Sequence, residues 1–475
     1  MNRNDGFRYL HMGLPEKVMR KKMAGDFPGA IEEMDRLLAG QELPEAMCLC
    51  LETNKEMIKR LPSDYPYSRE EAIALAQKAV PDFGEEEFDQ LERENKVGWI
   101  YVNGKKHYFD RYFESLCKTD PAMARRAGLD GEPRNERYFQ SAIEEMEKTG
   151  VSRRRFSCQA KVQLKDENFQ KGRVVRAYLP IPCACDSQSE IRLEKITPEP
   201  TLISPENAEQ RVVFWEEKME ENHPFTVEFS YVRTARYTDL WDKEKLLSEE
   251  MEQAKKCQKE SAAGKKDNQT AQPDDFLKES PPHIQFTPYI QELAKTIAKE
   301  AHDDLEKARA CYDFVTKHVH YSFMPAYFSL ENIADNCAKN LYGDCGVQTL
   351  LFLTLCRCFG IPARWESGWA AEPGFCGAHD WARVYVKPYG WLYADVSYDG
   401  DAAARGDERR RRHYFGNLDP FRMTANTEFQ ADFTAPKEGF RADPYDNQVG
   451  EMEIDGRGLE YGEFVRSKSV LLCEK

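Results

Sequence analysis

Apolar and polar positions change rhythm along the chain in a way that divides it. Residues 1–150 run at helical spacing, as in Phe27-Pro28-Gly29-Ala30-Ile31-Glu32-Glu33-Met34-Asp35-Arg36-Leu37-Leu38 and in Ala72 to Ala79. The second run follows Ser68-Arg69-Glu70-Glu71, an N-cap with an acidic first turn. Pro44, Pro62 and Pro66 mark breaks between helices. The one β signal here is Trp99-Ile100-Tyr101-Val102 and Lys105-Lys106-His107-Tyr108-Phe109 around Asn103-Gly104. That dipeptide supplies the two positive φ angles of a tight primed turn, so a hairpin is predicted.

From Phe156 the period falls to two. Phe156 to Val162, Val174 to Pro182, Arg211 to Trp215 and Phe225 to Val232 are short β-branched and aromatic runs separated by turn residues. They predict an antiparallel β-sandwich-like domain over 151–240. Residues 241–283 are dominated by Lys, Glu, Gln and Ser up to Pro281-Pro282. Such a composition buries too little apolar surface to offset chain entropy, which predicts a charged helix and linker. From 284 the helical rhythm returns in Pro288 to Ala298 and Leu305 to Val319.

The chemistry concentrates after Tyr342. Gly343-Asp344-Cys345-Gly346-Val347 leads into an unbroken apolar run, Leu350 to Leu355, which stops at Gly360-Ile361-Pro362. This reads as a buried helix with Cys345 at its N-terminus, where unpaired N–H groups and the helix dipole favour thiolate over thiol. Asp344 is placed to be the N-cap. Downstream, Trp381 to Val386 and Trp391 to Val396 alternate like strands about Pro388-Tyr389-Gly390. A hairpin there sets His379 and Asp395 side by side. Helix-borne cysteine with strand-borne histidine and carboxylate is the nucleophile, base and orienter arrangement of acyl transfer. Asp380, adjacent to His379, is expected on the opposite face of its strand.

These residues carry a family resemblance. Gly343-Asp344-Cys345-Gly346, Arg357-Cys358-Phe359-Gly360-Ile361-Pro362-Ala363-Arg364, Gly368-Trp369, His379-Asp380-Trp381, Gly390-Trp391 and Ala394-Asp395-Val396-Ser397 together resemble the core of the transglutaminase-like superfamily. The resemblance implies a papain-like catalytic domain over 284–475, and a Cys-His-Asp triad of Cys345, His379 and Asp395 in that chain order. It covers 284 to 420 well, and the tail motif Asp446-Asn447-Gln448-Val449-Gly450-Glu451 also looks like bacterial members. The fold expected is α+β: a papain-like transglutaminase core at 284–475, a β-sandwich-like domain at 151–240 and a mostly helical domain with a hairpin at 1–150.

Composition narrows the function. At 475 residues the chain suggests about three domains of roughly 150 residues each. A formal net charge of −15 argues against nucleic acid or an anionic membrane as partner, and the acidic helix before the hairpin argues against a DNA-reading winged helix. The first residues lack a signal-peptide core and no stretch reaches the roughly eighteen apolar residues of a membrane span, so a cytoplasmic chain is expected. The 14 cysteines then read as free thiols. Their close pairs, such as Cys48 and Cys50, have one residue between them where zinc pairs use two to four, so neither metal nor cofactor is expected.

The function expected is cysteine-dependent acyl transfer on an amide through a thioester, resolved by water, as in a peptidase or amidase. Two other readings stay open: protein-glutamine cross-linking, in which an amine resolves the thioester, and a catalytically silent protein-binding scaffold. The substrate is then a peptide or protein amide, with a protein partner for the N-terminal domain. The backbone N–H of Cys345 is one oxyanion donor. Asn340 and Tyr342 are positional candidates for the second, and Trp369, with Trp365 and Trp381, for lining the substrate channel. Glu408-Arg409-Arg410-Arg411-Arg412 reads as a solvated loop.

Overall fold

A computed structural model describes residues 3–40, 42–130, 136–241, 273–398 and 406–475. Most of the predicted linker, 242–272, lies outside the described residues. The N-terminal region carries helices α1 (Glu16–Met23), α2 (Phe27–Gly40), α3 (Glu45–Asp64), α4 (Arg69–Gln77), α5 (Glu85–Arg93), α6 (Tyr112–Thr119), α7 (Pro121–Arg126) and α8 (Glu136–Thr149). Ser68 caps α4 through a full capping box with Glu71. Strands β1 (Trp99–Val102) and β2 (Lys105–Tyr108) form the predicted hairpin, with Asn103 and Gly104 at φ 50° and 73°. Pro62 does not break α3: it sits inside the last turn of that helix.

The sandwich is built from β3 (Val151–Leu164), β4 (Val174–Pro180), β5 (Gln188–Thr197), β6 (Leu202–Ile203), β7 (Val212–Lys218) and β8 (Phe225–Arg236). Alternate residues of β3 are buried along nearly its whole length, the period-two signature of a strand with one face in a core. The core between the sheets holds Phe156, Val162, Leu179, Trp215, Phe229 and Tyr231, all fully buried.

Next come β9 (His320–Tyr321) and β10 (Tyr342–Gly343), which pair in parallel, with α9 (Pro288–Ile297), α10 (Asp304–His318) and α11 (Ile333–Asn340) around them. Helix α12 (Cys345–Cys358) follows at once. Its residues from Gly346 to Arg357 are all buried, so it is a central helix without a solvent face. It packs on an antiparallel five-stranded sheet, order β14-β13-β12-β11-β15. The strands are β11 (Ala363–Glu372), β12 (Phe375–Val386), β13 (Gly390–Ala394), β14 (Phe415–Gly416) and β15 (Arg422–Asn426). Leu350, Leu351, Phe352 and Leu355 of α12 share one core with Trp365, Ala382, Val384 and Val386.

The expected boundary of the catalytic domain at residue 475 does not hold. The tail forms β16 (Glu451–Ile454), β17 (Arg457–Gly458) and β18 (Phe464–Glu474), and these complete the sandwich. β18 pairs with β3 and β16 with β4, giving sheets of order β17-β16-β4-β7-β6 and β18-β3-β8-β5. The chain thus returns to its second domain after building its third. The arginine-rich stretch is not a solvated loop either. It is a short helix, α13 (Glu408–His413), with Arg410 and Arg411 buried and Arg409 paired to Glu147 of α8.

The N-terminal helices press on the segment between β9 and α11. Ser115 Oγ accepts from Phe323 N at 3.1 Å and Asp64 Oδ2 accepts from Ala326 N at 3.0 Å. The Arg111 guanidinium lies 3.4 Å above the Phe323 ring, and that of Arg60 lies 3.7 Å above Phe328.

Candidate active site

The N-terminus of α12 is fixed from two sides. Asp344 is its N-cap, with a side chain that accepts from Val347 N at 3.2 Å and also takes the hydroxyl hydrogen of Tyr327. Gly346 has no room for a side chain, since a Cβ there would lie 2.8 Å from Tyr327 Cε2 and 2.9 Å from Trp365 Cη2. The absence of a side chain lets the first turn press against two aromatic rings. Burial raises the pKa of Asp344 to about 6.

His379 and Asp380 are neighbours on β12, so their side chains leave opposite faces of the sheet. On one face, His379 Nε2 lies 2.7 Å from Asp395 Oδ2. Asp395 follows directly on β13, whose Ala394 pairs with Ala382 of β12. The predicted turn does bring histidine and aspartate together. Burial works to raise the pKa of Asp395, but His379 and Arg422 together outweigh it and hold the carboxyl at about 2. An ionised carboxylate can only accept, so Nε2 carries the proton and Nδ1 is left as the basic nitrogen. Among the described residues Nδ1 makes no hydrogen bond.

On the other face, Asp380 meets the nucleophile candidate. Cys345 Sγ donates to Asp380 Oδ2 at 3.1 Å, and among the described residues no hydrogen bond joins Cys345 to His379. Asp380 does lie opposite His379, as the strand period predicts, but its face is the one on which α12 packs. The carboxyl is itself held by Gln448, whose Nε2 donates to Asp380 Oδ1 and, at 3.1 Å, to the carbonyl of His379. Burial and the neighbouring Asp446 push the pKa of Asp380 well above the usual carboxylate range.

The expectation of a thiol biased toward thiolate is corrected here. Burial, then the charges of Asp380 and Asp344, push the Cys345 thiol well above its ordinary value. The helix N-terminus favours the anion, but burial disfavours it more, and a thiolate and a carboxylate in contact at a buried site cannot both hold charge.

The remaining candidates fall elsewhere. Trp369 is fully buried: it stacks obliquely on Phe229 at 5.5 Å in the sandwich core, and its Nε1 donates to the carbonyl of Gln448 at 2.7 Å. It lines no open channel, and Trp365 and Trp381 are buried likewise. Asn340 turns its amide back along α11 to Asn336 O and Oδ1, both at 3.0 Å, so it is not aimed at Cys345. Tyr342 is half-buried in the β9–β10 ladder opposite His320. Sequence reasoning missed Tyr327, Arg422 and the contact between Asp380 and Cys345. Gln448 was visible only as part of the tail motif.

Residues 291–396 match the model of the transglutaminase-like superfamily. This is the segment that holds Cys345, His379 and Asp395. Among solved structures, a cysteine protease candidate from Cytophaga hutchinsonii is similar at 15% identity and TM-score 0.42, over 68% of this chain and 93% of that one. The periplasmic domain of TgpA from Pseudomonas aeruginosa is similar at 14% identity and TM-score 0.26, over 57% and 95%. A search of curated proteins gives no match. Among the described residues no helix is long and apolar enough to cross a membrane.

Proposed function

We propose that the protein is a cysteine-dependent acyl transferase acting on amide bonds, with Cys345 as nucleophile, His379 as base and Asp395 as orienter, and with water as the acyl acceptor. The observation that carries the reading is the 2.7 Å bond between His379 Nε2 and Asp395, which leaves Nδ1 basic beside the strand residue that Cys345 contacts. Cys345 reacts only after its sulfur leaves Asp380 and the start of β12 turns His379 toward it, because the two side chains lie on opposite faces of that strand in this structure. The thiol proton passes to Nδ1 and the sulfur adds to the amide carbonyl carbon. The oxyanion forms beside the backbone N–H of Cys345. When the C–N bond breaks, the imidazolium returns the proton to the leaving amine. Water then gives a proton to Nδ1 and adds to the thioester, the C–S bond breaks, and the sulfur regains its proton.

Hydrolysis is favoured over cross-linking because among the described residues no feature of the site points to a bound amine. We assign the chain to the cytoplasm, in keeping with the unpaired state of every described cysteine. The substrate is a peptide or protein amide, and the N-terminal helices are the surface for a protein partner. A digest of a denatured protein pool, with products mapped by mass, tests this directly. New termini that vanish in Cys345→Ala, His379→Ala and Asp395→Ala support it, and termini that survive in Cys345→Ala refute it. Adding excess primary amine separates the two outcomes of the thioester, because amide adducts in place of free acids identify a transferase.

A further inference from the structure

Asp395 faces more than His379. Its Oδ2 also accepts from Arg422 Nη2 at 3.0 Å, and the same nitrogen reaches Asp419 Oδ2 at 2.8 Å. Arg422, Asp395 and Asp419 are each fully buried. Among the described residues Nε and Nη1 of Arg422 have no hydrogen-bond partner. A buried guanidinium with two nitrogens unpaired is costly, because desolvation is offset only where partners are made. Two buried carboxylates, and not packing alone, hold it at this spot.

The surroundings of the pair are closed. The guanidinium carbon lies 4.1 Å above the ring of Tyr398, whose hydroxyl is bound to Glu372 at 2.8 Å, and 6.0 Å from that of Tyr414. Tyr414 donates to Asp419 Oδ2 at 2.9 Å, and Phe421 N donates to Asp419 Oδ1 at 2.8 Å. Ser397 N and Tyr398 N cap the far oxygen of Asp395 at 3.3 and 3.2 Å. The charged and titratable groups facing the pair are His379, Asp395, Asp419, Glu372, Tyr398 and Tyr414, with His413 and Arg410 acting on Asp419 and Tyr414 from α13.

We infer that Arg422 is a positioning residue that sets the basicity of His379, by sharing the charge of Asp395 between the imidazole and the guanidinium, with Asp419 setting how much of the guanidinium charge reaches Asp395. A carboxylate facing only an imidazole holds its proton tightly and makes a poor proton donor to a leaving amine. Drawing part of that charge toward Arg422 loosens the proton. The inference rests on the reading of His379 as the base, but its test reads the imidazole itself and not turnover.

The test is an NMR titration of the His379 C2 proton in the full-length protein, with the resonance assigned by its loss in His379→Ala. Arg422→Gln removes the positive charge and should move the midpoint up by about one pH unit, the order expected for a charge within a few ångströms. Asp419→Asn frees Arg422 from its second carboxylate and should move it down. Opposite shifts in two folded variants support the inference, because general loosening of the site moves both the same way. A midpoint unchanged in both variants, or moved in the same direction, overturns it. Should Arg422→Gln fail to fold, the direction of the shift in Asp419→Asn alone decides. If the shifts are as expected while Cys345→Ala keeps full activity, the proposed function fails and the positioning role of Arg422 stands.

Discussion

An alanine at position 346 adds one methyl group where the first turn of α12 touches two rings. Its Cβ would stand 2.8 Å from Tyr327 Cε2 and 2.9 Å from Trp365 Cη2, when ordinary contact begins near ~3.4 Å. The Trp365 ring must therefore retreat by about 0.5 Å, and Tyr327, whose hydroxyl oxygen stands closer still, by more. Neither can do so freely. Trp365 is buried against Phe429 at 5.4 Å, and the Tyr327 hydroxyl is tied to Asp344. Overpacking of this kind costs about 1–3 kcal/mol, while alanine in place of glycine returns at most about 1 kcal/mol of helix propensity. Gly346→Ala should thus lose about 1–2 kcal/mol. The control is Gly40→Ala at the end of α2, where a Cβ meets nothing within 4 Å, and which should be neutral or gain up to about 1 kcal/mol. Urea unfolding of the two variants beside wild type measures both. Gly346→Ala as stable as Gly40→Ala would show that the close approach at Cys345 is not as described.

Three further outcomes follow from the charges. Asp344 has a folded pKa raised to about 6, so its favourable contribution is complete below the ordinary carboxylate range and is lost as pH rises through 6. Asp344→Asn keeps an acceptor for Val347 N and removes the charge, so it should gain on wild type by at most about 3 kcal/mol above pH 7 and by nothing near pH 4, measured by urea midpoints across pH. Asp395 is the opposite case, lowered to about 2: its contribution is present above the ordinary range and is lost as pH falls toward 2, so Asp395→Asn should be relatively worst near neutrality and converge on wild type in acid. Asp380 holds the Cys345 thiol protonated, so Asp380→Asn should shift alkylation of Cys345 to lower pH, read by iodoacetamide labelling and peptide mapping; a shift to higher pH would make Asp380 the proton acceptor instead.

The parts of this fold that are local were legible in the sequence. Asn103-Gly104, the Ser68–Glu71 capping box and the apolar run after Cys345 each specify their own geometry within a few residues. The pairing of His379 with Asp395 was also legible, because one short turn joins their strands. What escaped depends on contacts between distant segments. The return of β16 to β18 to the sandwich leaves no trace in those strands, since a period of two says that a face is buried but not against what. The same limit hid the partner of Cys345: alternation placed Asp380 opposite His379, yet nothing local says on which face α12 packs. Trp369 failed for a related reason, since a tryptophan in a sheet that is covered on both faces is more often core than cleft. Arg422 could have been suspected only as a lone arginine among residues that are otherwise buried.

Capture of an acyl group tests the central assignment most directly. An activated ester such as p-nitrophenyl acetate acylates a nucleophilic thiol without any knowledge of the natural substrate, and the site of the acetyl group is read by peptide mapping, with the other cysteines as internal controls. The assignment predicts a burst of nitrophenolate, an acetyl group on Cys345, and a rate lowered by about a hundredfold or more in His379→Ala, the scale of a lost general base. Acetylation spread over other thiols, or equally fast at Cys345 without His379, would contradict it.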